Sequence, residues 1–208
     1  MSLWAIVPIK PLRRGKSRLA TVLSEKDREQ LNQTLLVKTI GCLKAVKEID
    51  QILIVSYDPG ALTISRDYGV RTIQESPNTN INKALRKGTL AAKAFNVSSL
   101  LIIPADLPFI EPESVRELLS KAKKPPEIVI TPDRRMNGTN ALFLNPAGIL
   151  DYDFGVWSFR KHVEQAEQKK IRIEIYNNDR LSFDLDIPED LEFLRQSEYA
   201  LNEFDFIK

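Results

Sequence analysis

A chain of 208 residues, 43% hydrophobic and 28% charged, has the composition of an ordinary globular protein and the length of one sizeable domain, so residues 1–208 read as a single domain. The formal net charge of +2 is too small to indicate a nucleic-acid partner, and the lone Cys42 and lone His162 exclude an internal disulfide and a zinc cluster. No apolar run approaches the roughly 18 residues of a membrane span and no signal peptide precedes the first strand, so a cytoplasmic protein with no membrane partner is expected.

Leu3-Trp4-Ala5-Ile6-Val7 reads as a buried strand. It runs into Pro8 to Leu19, a loop that carries Lys10, Arg13, Arg14, Lys16 and Arg18. Strand, basic loop and helix together form a common anion-binding arrangement, although a solvated basic turn has the same composition. Gly15-Lys16-Ser17 copies the end of a Walker A loop, but Lys10 stands where that motif needs its first glycine. The dinucleotide fingerprint fails as well, for want of glycines, so any phosphate here would be met by side-chain charge.

Ser24 and Asp27 form a capping box for a helix reaching about Val46, in which Leu31, Leu35, Ile40 and Leu43 recur at helical spacing. Cys42 lies in that pattern and reads as a small core residue. Gln51 to Ser56 is a β-branched strand, a short helix through Ile64 stops at Gly69, and Val70 to Gln74 makes a third strand. The polar loop Glu75-Ser76-Pro77-Asn78-Thr79-Asn80 delivers Asn80 and Asn82 to the start of a helix through Leu85 and Ala91. Both asparagines have two roles open to them, capping the helix or reading a base edge. Ser99 to Ile103 is the most strand-like stretch, and Asp106 follows it where open α/β sheets place their ligands.

A helix over Pro112–Lys121 breaks at Lys123-Lys124-Pro125-Pro126, and Glu127 to Thr131 forms another strand. The loop Asp133 to Thr139 offers Arg134, Arg135 and backbone amides to a second anion, or serves only as a charged connection. After the apolar run Asn140 to Leu144, Gly155 and Ser158 sit near a helix start, where they could donate to an anion among aromatic residues that otherwise serve packing. Ile171 to Tyr176 reads as a strand. In the extended segment that follows, Asp184 and Asp186 point to the same side, as a magnesium pair or as an acidic strand that caps the next helix through Asp186. Glu192 to Lys208 is expected to be a helix with an apolar tail of Phe204, Phe206 and Ile207 that docks on its own body or on a second subunit; a homodimer is the expectation.

Taken in order, Pro8-Ile9-Lys10-Pro11 with Gly15-Lys16-Ser17-Arg18-Leu19, Asn82-Lys83-Ala84-Leu85, Pro104-Ala105-Asp106-Leu107-Pro108, Gly138-Thr139-Asn140-Ala141-Leu142, Phe154-Gly155 with Ser158-Phe159, and Asp184-Leu185-Asp186-Ile187-Pro188 resemble the 2-phospho-L-lactate guanylyltransferase family of coenzyme F420 biosynthesis. The resemblance implies an α/β fold, three-layer αβα, with the Rossmann-type mixed sheet of nucleotide-diphospho-sugar (glycosyltransferase-A-like) transferases. It implies transfer of GMP from GTP to the phosphate of 2-phospho-L-lactate with release of pyrophosphate; relatives use phosphoenolpyruvate or 3-phosphoglycerate. It further implies that Asp106, Asp184 and Asp186 hold Mg2+, and that Lys10, Lys16 and Arg18 hold the triphosphate. Asn80 and Asn82 would hold the guanosine region, and Thr139, Gly155 and Ser158 the acceptor phosphate. Gly15 departs from the alanine that the family pattern implies, a change expected to add flexibility and leave the role intact. Molybdenum cofactor or sugar-phosphate nucleotidyl transfer and a non-catalytic nucleotide sensor are the competing readings.

Overall fold

The computed structural model describes residues 2–77, 79–197 and 204–207; the loop residue Asn78 and the part of the expected closing helix over 198–203 lie outside them. Strands β1 (Leu3–Ile9), β2 (Gln51–Ser56), β3 (Arg71–Gln74), β4 (Ser99–Ile102), β5 (Glu127–Pro132), β6 (Thr139–Asn145) and β7 (Arg172–Ile175) form one sheet in the order β3-β2-β1-β4-β6-β5-β7. The helices are α1 (Glu25–Lys44), α2 (Pro59–Asp67), α3 (Ile81–Lys93), α4 (Pro112–Ser120), α5 (Ser158–Gln168), α6 (Asp179–Ser182) and α7 (Pro188–Gln196). Elements read from periodicity appear within a few residues of their expected bounds. The capping box at Ser24 is formed in both directions, Asp27 N donating to Ser24 Oγ and Ser24 N to Asp27 Oδ2.

Alternation along the strands divides the core into two faces. Ala5, Val7, Ile52, Ile54, Leu101, Val129 and Phe143 point to one side and meet Leu36, Ile40 and Leu43 of α1, Leu62 of α2, and Val115 and Leu118 of α4. Ile6, Leu53, Val55, Leu100, Ile102, Ile128 and Leu142 point to the other and meet Ala84 and Leu85 of α3 and Ala166 of α5. These are the three expected layers. Cys42 is buried in the first of them, and burial pushes its thiol up to about 12, the behaviour of a packing residue.

Strand direction divides the sheet in another way. β1 pairs in parallel with β2 and β4, and β2 in parallel with β3, so the chain winds outward to β3 and then returns to the far side of β1. β6 runs antiparallel to both β4 and β5, while β7 lies parallel to β5. The reversal between β1 and β4 is the topological switch point, and the carboxyl ends of these two strands open the crevice in which such sheets bind ligands.

A third apolar cluster sits below that crevice. Leu19 and Leu23 from the basic loop, Leu31 and Leu35 of α1, Phe109, Phe183, Leu185, and Leu191 and Leu194 of α7 pack with Phe204 and Ile207 of the tail. The tail therefore docks within its own chain, with Arg195 Nε donating to Ile207 O at 2.6 Å, and the argument from the tail to a second subunit loses its basis.

Candidate active site

A cleft of about 390 Å³ follows the carboxyl ends of β4, β1, β2 and β3. At one end lie Lys10, Gly15, Lys16, Asp106 and Asp186; at the other, Tyr57, Glu75, Thr79 and Asn80. The charged end rests on an apolar neighbour beside each polar residue: Leu19 next to Arg18, Phe109 three positions after Asp106, and Leu185 between Asp184 and Asp186, all in the third cluster. Leu185 N donates to Asp106 O at 3.0 Å and ties the two acidic segments together. Burial of Leu185 turns both flanking carboxylates to the same side, as alternation dictates, although 183–187 belong to no strand of the sheet.

Lys16 Nζ lies 3.2 Å from Asp106 Oδ2 and 3.1 Å from Asp186 Oδ1, and its side chain is only 6% exposed. Burial alone would lower its pKa, but the Asp106 and Asp186 carboxylates outweigh burial and raise it, so the ammonium is charged. Lys16 occupies the left-handed backbone region, φ 55, at the start of a 3-10 turn over Ser17–Leu19. Arg18 reaches Asp186 Oδ2 at 3.8 Å from an exposed position on the rim. Burial would raise the Asp186 carboxyl, yet Lys16, with Lys10 and Arg18, pulls it below the usual range. Four of the five bases thus separate: Lys10, Lys16 and Arg18 serve the site carboxylates, while Arg13 turns back to Glu29 on α1.

Gly15 has a role that flexibility does not describe. A Cβ there would stand 2.7 Å from Asn32 Nδ2 and 3.2 Å from Pro11 O. The Asn32 amide occupies that space because it donates to Leu12 O at 2.6 Å and locks the loop onto α1. The expectation of added flexibility is corrected: the missing side chain makes room for a tether.

Asp184 takes the opposite sense to Asp186. Burial first, then the Asp106 and Asp186 charges, push its carboxyl up to about 6, against its own backbone N–H and Asn140 Nδ2, a long 3.5 Å away. Asp106 Oδ1 is buried with no hydrogen-bond partner among the described residues. An orphaned carboxylate oxygen beside a mutually repelling acidic pair, all oxygen donors, fits a hard divalent cation. Lys16 partly fills that place, and among the described residues no three His, Cys, Asp or Glu groups are already gathered as a ligand set. A cation bound there would require Lys16 to move aside.

Asp190 holds the acidic segment in position. Fully buried, it accepts from Asp186 N at 2.9 Å and Ile187 N at 3.0 Å, and from Arg134 Nη2 at 2.6 Å and Arg135 Nη2 at 3.2 Å. Asp190, then, rather than Asp186, serves the start of α7, and Arg134 and Arg135 neutralise Asp190 instead of forming an open anion site. Arg134 also lies over the Phe183 ring at 4.0 Å.

Of the remaining expected site residues, Asn80 lines the cleft, whereas Asn82, Thr139, Gly155 and Ser158 lie outside its lining. Asn80 Oδ1 accepts from Lys83 N and caps α3 while the residue lines the cleft. Asn82 spends both ends of its amide on one peptide, accepting from Phe154 N at 2.8 Å and donating to Phe154 O at 3.2 Å. It anchors the loop before Gly155, with one of its two amide N–H groups engaged there. Gly155 adopts φ +127, which side chains rarely reach, and its carbonyl accepts from Ser158 N at 3.1 Å as α5 begins. Phe154 packs on His162, whereas Val156 and Trp157 stand exposed at this turn.

Thr139 and His162 complete that region. Asp153 N donates to His162 Nε2, so the neutral ring carries its proton on Nδ1 and donates it to Thr139 Oγ1 at 3.0 Å. Burial keeps the ring neutral, its pKa lowered to about 4, with Asp153 and Lys161 acting in opposite directions. The Thr139 hydroxyl proton is left for another acceptor. Sequence reasoning passed over Asn32, Tyr57, Glu75 and Asp190, common polar residues whose spacing carries no motif, and gave Asn140 no role although it lies in a quoted motif.

The geometry can bind a polyphosphate at the basic end of the cleft. The family model for guanylyl transferase CofC like proteins matches residues 3–200. A phosphoenolpyruvate guanylyltransferase from Rubrobacter xylanophilus is 39% identical over 197 residues, covering 95% of both chains. A 2-phospho-L-lactate guanylyltransferase from Methanocaldococcus infernus is 34% identical over 188 residues, covering 89% of this chain and 81% of its own. Among solved structures, a Desulfovibrio desulfuricans protein described as a nucleotide-diphospho-sugar transferase superposes with a TM-score of 0.73 at 15% identity, over 100% and 97% of the two chains. A Methanothermobacter nucleotidyl transferase gives 0.67 at 15% identity, over 93% and 96%. The structural likenesses establish the fold, and the match along almost the whole sequence establishes the rest: this chain belongs to the guanylyl transferase CofC like family.

Proposed function

We propose that this guanylyltransferase moves GMP from GTP onto the phosphate of a phosphorylated three-carbon acid and releases pyrophosphate. The observation that carries this reading is the cleft end itself, where Lys10, Lys16 and Arg18 converge on Asp106 and Asp186 at the switch point. An acceptor phosphate oxygen would attack the α-phosphorus as the bond to the β-phosphate oxygen breaks. That oxygen is ionised at neutral pH, so the step needs charge neutralisation and alignment rather than a general base. A neutral, buried His162 is consistent with this chemistry.

Lys10, Lys16 and Arg18 would neutralise the triphosphate and the departing pyrophosphate, and Asn80 would stand beside the nucleoside. Asp106, Asp184 and Asp186 would hold magnesium, which when bound supplies charge neutralisation at the phosphate oxygens. The free Thr139 hydroxyl proton, the Gly155 turn and Ser158 at the start of α5 support an acceptor-phosphate region there, with Asn82 holding its loop in place. The 39% identical Rubrobacter relative favours phosphoenolpyruvate as the acid, and the Methanocaldococcus relative supports 2-phospho-L-lactate as the second reading.

Pyrophosphate release from GTP and magnesium, measured with each acid separately, tests the proposal. Release with neither acid would overturn it. Asp106→Asn keeps the shape of the side chain but removes its charge, and is expected to abolish turnover in a folded protein.

A further inference from the structure

The far end of the cleft contains an acidic group, Glu75, to which the reading above gives no role. Glu75 follows β3 directly, its backbone N donating to Ser56 O at 3.0 Å, and it lines the cleft beside Tyr57, Thr79 and Asn80. Its carboxylate oxygen Oε2 is buried without a hydrogen-bond partner among the described residues. Burial raises its pKa and Lys87 opposes the shift, so the carboxylate is held where water solvates it poorly.

Position and chemistry agree on what would satisfy it. From β4, which leads to Asp106, to β3, which leads to Glu75, the sheet steps across three strand spacings, about 14 Å. A nucleotide lying along the strand ends with its phosphates over Lys16 would bring its base toward Glu75. The edge of guanine offers one acceptor, O6, beside two donors, N1–H and the 2-amino group. A carboxylate is acceptor-only and matches the two donors. The Asn80 side-chain oxygen is used in capping, which leaves its amide N–H groups as donors for O6. Adenine would instead present its N1 lone pair to the carboxylate and leave it unpaired, a mismatch that discriminates strongly in a desolvated site.

We propose that Glu75 is the guanine-selecting residue, accepting from N1–H and the 2-amino group while Asn80 donates to O6. This rests on the guanylyltransferase reading above. The test is equilibrium binding of GTP, inosine triphosphate, xanthosine triphosphate and ATP to the full chain, for wild type and for Glu75→Gln. The wild type is expected to prefer GTP to ATP and to bind the inosine nucleotide more weakly, since it lacks the 2-amino group. In Glu75→Gln, GTP affinity should fall about 10- to 100-fold, ATP affinity should hold, and the ratio of xanthosine to guanosine nucleotide binding should rise, because the new amide can donate to the 2-oxo group. The ratio within one protein is independent of how much of the variant folds. Equal losses for all four nucleotides, or an unchanged ratio, would overturn the role of Glu75 alone. A wild type that does not distinguish GTP from ATP would overturn the guanylyltransferase reading and this inference with it.

Discussion

Asp184 is held in its charged form at neutral pH against burial and two neighbouring carboxylates, which push its carboxyl up to about 6. A raised carboxyl pKa means the ionised form is less favourable in the folded chain than in the unfolded one. Asp184→Asn is therefore expected to raise the stability of the metal-free protein at pH 7 by up to about 3 kcal/mol while abolishing turnover, as read by thermal melting without magnesium and by pyrophosphate release. A lower melting temperature would show that Asp184 has a stabilising partner. Gly15 makes the converse case, a site with no charge and no room. Gly15→Ala puts a methyl against Asn32 Nδ2 and should cost about 1–3 kcal/mol in denaturant titration, with weaker GTP binding as the tether to Leu12 O shifts. Unchanged stability would mean that Asn32 yields easily. Neither effect is legible in a list of residues, because both depend on what the fold brings next to the residue from elsewhere in the chain.

β6 and α5 meet through the Thr139–His162–Asp153 contacts, and their stability should depend on pH. His162 stays neutral in the fold down to a pKa of about 4, while in the unfolded chain it is protonated below about 6.5. The unfolded state thus binds the extra proton first. The stabilisation from a neutral His162 is complete above pH 6.5 and is lost as the pH falls toward 4, by about 3 kcal/mol in all. Melting curves across that window should show the loss, and His162→Gln should flatten it; an equal slope in the variant would place the titration elsewhere. The elements themselves were readable in advance. The Ser24 and Asp27 cap, the β-branched runs at β2 and β4, and the breaker at Pro125-Pro126 act over a few residues, where periodicity and caps are strong. The short α6 and the 3-10 turn at Ser17–Leu19 were not, since they hold only four and three residues and rest on tertiary packing.

The third apolar cluster joins parts of the molecule that are far apart in sequence, from Leu19 to Ile207. It sets the height of the basic loop against the acidic segment, so a change at the tail should reach the active site. Phe204→Ala is expected to cost about 3–5 kcal/mol in thermal or denaturant unfolding and to weaken GTP binding as Leu19 and Leu185 lose their support. A stable variant with unaltered GTP binding would show that the tail only covers the cluster. Strand and helix positions, the two-faced core and the presence of a base-rich loop before acidic segments all follow from local pattern, because alternation and helical repeat act between neighbours in the chain. Strand order, the antiparallel insertion of β6 and the division of the loop's cations into three that face Asp106 and Asp186 and one that faces Glu29 do not. Those outcomes depend on contacts between residues such as Lys16 and Asp186 that lie 170 positions apart. Charge type alone leaves such pairings open, and burial together with hydrogen-bond geometry selects among them.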